Sequence, residues 1–203
     1  MTNGHYFCNL RRKIHKEDIL NAGLQLMFTN GYYATGIKEI TESIKIPKGS
    51  FYNHFSNKEE FGLEVVKMYC DNGLEMYKSI FLDKKYMPLE RVENFFSSLI
   101  SEYSNELDFK LGCLMGNFSA ELSDTNEKFR ILLAKEFGKL ENVISICLQE
   151  AQDNGSLNKK DSADQIAAFV LNSWHGAMIR MKSTGNSRPL EDCKMMIMNK
   201  ILV

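Results

Sequence analysis

The sequence has little proline, with three residues, and a single tryptophan, and its 13 glycines are scattered through 203 residues. Collagen-like and low-complexity classes are thereby excluded. Long hydrophobic runs are missing as well. The uncharged stretch Gln165 to Ile179 contains Asn172, Ser173 and His175, and it is too short and too polar to span a bilayer. The five cysteines (Cys8, Cys70, Cys113, Cys147 and Cys193) are odd in number, dispersed, and never arranged as CxxC. That argues against a disulfide framework or a structural zinc site, and for free thiols in a reducing compartment. Arg11-Arg12 is followed by Lys13, His15, Lys16, Glu17 and Asp18, not by an apolar stretch, so it does not read as an export signal. The chain is expected to be unprocessed and cytoplasmic. There is no glycine-rich phosphate loop and no HExxH, so no cofactor or metal is expected.

What is present is an ordinary globular balance, with 44% hydrophobic and 25% charged residues and a net charge of −1. The charge is unevenly placed. Residues 1–58 carry eight lysines and arginines (Arg11, Arg12, Lys13, Lys16, Lys38, Lys45, Lys48, Lys58) against four acids (Glu17, Asp18, Glu39, Glu42). A basic front on an acidic remainder is the arrangement of a polyanion-binding head, although a solvated basic helix end would give the same count.

Nearly every apolar period is helical. Ile19, Leu20, Gly23, Leu24, Met27 and Phe28 share one face, and Asn30-Gly31 ends that helix. Thr35 is placed to cap a short helix through Ile37, Ile40 and Ile44. After Pro47 a brief helix runs from Lys48 to Phe55. Ser56 or Asn57 caps the next, with Glu59 and Glu60 in its first turn, and it continues toward Ile80. Beyond Pro88 the spacing predicts helices over Leu89–Leu107, Leu114–Leu122, Asn126–Gln152, Ala163–Lys182 and Pro189 to about Leu202. No strand-type alternation and no fixed-period repeat is found. The expected fold class is all-α.

Three short helices with a tight turn between the second and third describe a helix-turn-helix unit, whose third helix enters the major groove of DNA. The run Thr35-Gly36-Ile37-Lys38-Glu39-Ile40, then Ile46-Pro47-Lys48-Gly49-Ser50-Phe51-Tyr52-Asn53-His54-Phe55, then Ser56-Asn57-Lys58-Glu59-Glu60, closely resembles the DNA-binding head of the tetracycline-repressor (TetR) family. The resemblance covers about residues 15–66. It implies a basic flexible arm over 1–14, a helix-turn-helix domain over 15–60, and a helical effector-binding and dimerisation domain over 61–203. The arm could reach the minor groove or backbone, or remain a disordered tail.

The residue chemistry agrees with this resemblance. Gly49 and Ser50 are small enough for close backbone approach to DNA. Lys48 can meet a phosphate. Tyr52 offers a hydroxyl to phosphate and a ring to a thymine methyl. Asn53 and His54 can hydrogen-bond to bases or backbone, Thr35 can turn its hydroxyl outward, and Lys58 adds a cation beside free helix N–H groups. Phe51 and Phe55 are expected in the core. Many relatives carry glycine where Lys45 stands, so Lys45 must adopt a left-handed conformation or the turn differs.

In the body, Gly112 to Asp124 resembles a TetR-type subgroup that includes repressors of reductases for N-ethylmaleimide and other electrophiles, and acrylate-responsive repressors. The likeness extends to Trp174-His175-Gly176-Ala177 and Lys182. It implies Cys113 as a sensor and Lys182 as its partner. A thiolate is the reactive form, and a helix N-terminus with Lys110 and Lys182 nearby would favour it. Cys113 could equally be a small apolar wall of a ligand pocket. Helical spacing offers Phe169, Trp174 and Met178, with Met115, Phe118 and Tyr103, as pocket lining, and His175 as a polar edge; each alone fits a plain core position too. The family's usual dimer interface falls on 163–182 and 189–202.

The leading expectation is a homodimeric repressor on a palindromic double-stranded operator, released by a small molecule or by modification of Cys113. A thiol-dependent enzyme using Cys113 with His175 lacks a third orienting residue and an oxyanion motif, so no catalytic residue is assigned. A DNA-free helical interaction protein is opposed by Lys48, Tyr52 and Lys58.

Overall fold

The computed structural model describes residues 15–203; the basic arm expected over 1–14, with Cys8, lies outside the described residues. Among the described residues the chain is all-α. The front helices are α1 (Lys16–Asn30), α2 (Ile37–Ser43) and α3 (Lys48–Tyr52), followed by the long α4 (Lys58–Phe81). Then come α5 (Pro88–Asn105), α6 (Leu114–Leu122), α7 (Glu127–Asp153), α8 (Ala163–Thr184) and α9 (Arg188–Met196), the last continued by a π-helical turn over Ile197–Ile201. No described helix is long and apolar enough to cross a membrane.

The front unit closes on aromatic rings. Phe51 and Phe55, both buried, meet the α4 residue Phe61 at centroid distances of 5.0 and 4.8 Å. Gly23 of α1 lies under the Phe61 ring, where a Cβ would come within 2.2 Å of Cζ, so only glycine lets α1 and α4 approach this closely. Asn57 caps α4, its side chain accepting the Glu60 N–H at 2.9 Å. Asn126 does the same for α7, accepting from Lys128 and Phe129. In the body, Tyr77, Phe81, Phe95, Phe96 and Trp174 form a second aromatic core. The α7–α8 pair is held where the Ser145 hydroxyl donates to Asp164. The buried Arg91 of α5 reaches Glu150 of α7 at 2.8 Å.

Several expected boundaries shift. The third helix stops at Tyr52, so Phe55 reaches the core from the turn that follows. The last helix is interrupted by the π-turn, with the Leu202 N–H donating to Ile197 O at 2.9 Å. The cap of α2 is Gly36, not Thr35: its N–H donates to the Glu39 carboxylate. Lys45 adopts φ 56°, the left-handed conformation that its place in the turn demanded.

Candidate functional site

The short helix α3 and the turn that follows it present the residues expected at DNA. Lys48, Gly49, Tyr52, Asn53 and His54 are exposed, and Ser50 is partly so. The Lys48 ammonium lies 5.9 Å from the Tyr52 ring centroid, which keeps both on one side of the short helix.

Two of the expected DNA contacts are placed otherwise. Thr35 is fully buried and its hydroxyl donates back to Gly31 O at 2.8 Å, so it braces the α1–α2 turn. Its own short loop drives it inward, because a buried hydroxyl needs the partner that Gly31 supplies. Lys58 also turns inward. Its ammonium donates to Tyr33 O at 3.3 Å and stands 4.5 Å from the Tyr32 ring centroid. Burial lowers its pKa, against the pull of Glu121.

Those contacts mark the junction between the two halves, which the sequence reading missed. Tyr32 is buried among Phe118 and Phe129, at 5.9 and 5.2 Å between centroids. The Glu121 carboxylate of α6 accepts the backbone N–H groups of Tyr32 and Tyr33, at 2.9 and 2.7 Å. The Tyr33 hydroxyl bonds to Thr125 at 3.0 Å. The only sequence signal was an acid near the end of a short, otherwise uncharged helix.

Cys113 sits at the opposite end of α6 as its N-cap. A cavity of about 90 Å³ opens beside it, lined among others by Tyr69, Tyr103, Met115, Trp174, His175 and Met178. The expected pocket residues therefore gather, with two exceptions. Phe169 is 49% exposed and points out of the body. Phe118 is buried against Tyr32 and Phe129, at the junction and not in the cavity. For Phe169 the helical register decides, since it and Trp174, five apart on α8, lie on different faces.

Lys182 borders a second, narrow space together with Gly112, Cys113, Gly116, Asn117 and His175. Its stem covers Gly112 and its ammonium lies 3.4 Å from Asn117 Oδ1. Asn117 in turn donates to Leu111 O at 3.2 Å. The segment leading to Cys113 is strained: Asp108, Phe109 and Leu111 have φ of 48°, 56° and 69°. Such backbone persists only where surroundings enforce it, here Asn117 and the Tyr103 hydroxyl, which donates to Gly112 O at 3.0 Å.

The electrostatics of Cys113 correct an expectation. Burial raises its thiol pKa above the usual 9.0, and the opposing Gly116 and Met115 N–H groups and the Tyr69 hydroxyl do not reverse this. Tyr69 Oη stands 3.9 Å from Sγ. Lys110, expected to help, pairs with Asp108 at 2.6 Å in solvent. Desolvation thus outweighs the helix N-terminus, and Cys113 rests as a thiol. Burial also lowers the pKa of His175, whose ring meets Phe137 edge-on at 5.2 Å.

Known proteins share this architecture. The tetR-family model of bacterial regulatory proteins matches residues 19–65. The tetracyclin repressor-like C-terminal domain matches residues 88–197. The chain is 32% identical over 187 residues to the HTH-type transcriptional repressor DhaR of Mycobacterium sp. (strain GP1), covering 92% of each. It is 30% identical over 174 residues to the transcriptional regulator AcuR of Cereibacter sphaeroides, covering 86% of this chain and 79% of that one. The crystal structure of reduced Escherichia coli NemR matches with a TM-score of 0.83 at 25% identity, over 89% of this chain and 93% of that one. With its helix-turn-helix front and its helical body each matched, and with a relative this similar along nearly its whole length, the chain belongs to the tetracycline-repressor family of bacterial regulatory proteins.

Proposed function

We propose that this chain is a homodimeric transcriptional repressor whose head, residues 15–60, holds a palindromic operator, and whose body, residues 61–203, releases it. Release follows when a small molecule or electrophile reaches the cavity at Cys113. One observation carries this reading. The nine-residue helix α6 has Cys113 at its start and Glu121, bonded to the backbone of Tyr32 and Tyr33, near its end. A change at Cys113 that shifts α6 must move the α1–α2 turn or break its two bonds. An effector shifts the balance of head positions only by its differential affinity for them, and this helix is where the difference is registered. Repression as the sign is supported by the names of the DhaR and NemR relatives.

The dimer rests on a bare face. On α8, Gln165, Phe169, Asn172, Gly176, Ile179 and Ser183 form one exposed stripe, and Phe169 and Ile179 are 49% and 59% exposed. Gly176 has open space where a Cβ would stand, room for a closely approaching helix. Met195 and Met196 of α9, each 51% exposed, extend the apolar surface. An operator of two half-sites requires the two α3 helices of such a dimer to lie about one DNA turn, ~34 Å, apart.

Footprinting on DNA flanking the gene tests the reading. The expected pattern is two symmetric protected half-sites, with affinity falling steeply as salt rises. Protection of a single half-site, or none in a genome-wide fragment selection, would overturn it.

A further inference from the structure

The cavity carries a more specific requirement in its one indole. Trp174 is 1% exposed, and its Nε1 is the only buried side-chain nitrogen or oxygen among the described residues with no hydrogen-bond partner. Buried donors are almost always satisfied, so this one calls for an acceptor. The neighbouring core rings cannot supply it: Phe96 and Phe95 meet the indole at centroid distances of 4.8 and 6.3 Å and carry no acceptor atom. Trp174 is one of the residues lining the cavity beside Cys113.

We infer that this cavity binds a small uncharged molecule through a carbonyl or amide oxygen that accepts the indole N–H of Trp174. For its consequence at DNA this rests on the sensor reading above; the binding itself does not. Size sets one limit. About 90 Å³ is less than the ~150 Å³ apolar cavity that admits benzene, so the ligand is smaller than an aromatic ring. Charge sets the other. No lysine, arginine, aspartate or glutamate lines the cavity. Burial keeps Tyr69, Tyr77 and Tyr103 protonated and lowers the pKa of His175. A carboxylate entering would lose its water with no counter-charge in return, whereas a neutral carbonyl loses little and gains the indole. Tyr103 and Tyr69 already spend their hydroxyl hydrogens on Gly112 O and Cys113 Sγ, whereas the buried indole N–H of Trp174 has no partner. An electrophilic carbonyl compound held there would have its reactive carbon in the same cavity as Cys113.

Propionamide and propionate make a matched test, being alike in size and shape and different in charge. Propionamide has no electrophilic carbon that a thiol attacks under these conditions, so binding is read apart from Cys113 chemistry. Trp174 is the chain's single tryptophan, so its emission reports directly. The expected result is a saturable red shift with propionamide and at least tenfold weaker binding of propionate. A parallel thermal-shift titration on Trp174→Phe, checked for helical content, should show at least tenfold weaker propionamide binding. If that variant does not fold, the wild-type emission comparison decides alone. Propionate binding as tightly as propionamide, or no saturable change with either, would overturn the inference. Operator release is scored separately on the same samples. A shift without release contradicts the sensor reading and supports the binding site. Release by a thiol reagent with no amide binding supports the sensor and contradicts this inference.

Discussion

The Glu121 carboxylate accepts the backbone N–H of Tyr33 at 2.7 Å, joining the far end of the Cys113 helix to the turn between the first two helices of the DNA-binding head. Its other oxygen takes the Tyr32 N–H at 2.9 Å. No other residue type of that length can accept both N–H groups with full charge. Glu121→Ala leaves both donors without this partner. We expect operator affinity within about threefold of wild type, because α3 itself is untouched, but release by a thiol reagent weakened by about tenfold, equivalent to ~1.4 kcal/mol of coupling. Fluorescence anisotropy of labelled operator, with and without reagent, measures both. Undiminished release in the variant would place the coupling elsewhere.

Cys113 is a thiol held above its usual pKa by burial. Its alkylation rate should therefore climb about tenfold per pH unit through the neutral and mildly alkaline range, with no plateau below about 9. Tyr69→Phe removes a hydroxyl 3.9 Å from the sulfur that favours the thiolate. The pKa then rises further, and the rate at a fixed pH near 8 should fall about fivefold, for a bond worth ~1 kcal/mol. Mass spectrometry of time-quenched samples reads this site apart from Cys70, Cys147 and Cys193. A plateau near neutral pH would show a stabilised thiolate and refute the assignment.

Phe169→Glu places a charge in the middle of the exposed α8 stripe. In an isolated chain this is a solvent-facing change with a stability cost within about 0.5 kcal/mol. In a dimer packed on that face it buries an unpaired carboxylate. Light scattering should show a monomer with unchanged helical content, and operator affinity should fall by at least a hundredfold, since one half-site no longer assists the other. A dimeric variant would move the interface off α8.

The body's stability depends on acid in a specific way. Arg91 and Lys84 bonded to Glu150 hold its pKa down to about 2. Because the folded value lies below the unfolded one of about 4.3, the contribution is complete above that value and is lost as pH falls toward about 2. Glu150→Ala leaves the buried Arg91 guanidinium without its counter-charge, although Tyr86 O and Phe81 O still accept from it. A loss of about 3 kcal/mol is expected at neutral pH, shrinking as the wild type is acidified. Urea midpoints at neutral pH and near pH 3 check both the size and the direction.

Much of this was legible in the sequence because periodicity and capping act locally. Asn57 before Glu59-Glu60, the Pro47 break, and the apolar faces of α7 and α8 placed the elements to within a few residues. Lys45 was singled out by the resemblance, because many relatives carry glycine there, and its φ of 56° is the left-handed conformation that glycine favours. Most of the misplacements are matters of long-range partnership, although the Thr35 bond spans only four residues. Thr35 looked free until Gly31 O claimed its hydroxyl, and Lys58 looked free until Tyr32 and Tyr33 folded against it. Phe169 and Phe118 were assigned to the pocket by spacing that fixes a face of a helix but not which neighbour that face meets. Glu121 joins residues 88 or more positions away, and Trp174's unpaired N–H exists only once its surroundings are known. The thiol pKa went the same way: an N-cap position was visible in sequence, whereas the burial that outweighs it was not.

The central claim is that Cys113 controls the head. Its most direct test is anisotropy of labelled DNA from upstream of the gene, titrated with reduced protein, with N-ethylmaleimide-treated protein, and with treated Cys113→Ser. The account predicts tight binding by the reduced protein, loss of at least tenfold on treatment, and full protection in Cys113→Ser. Equal loss in wild type and Cys113→Ser, or tight binding by treated wild type with Cys113 shown by mass to be modified, would contradict it.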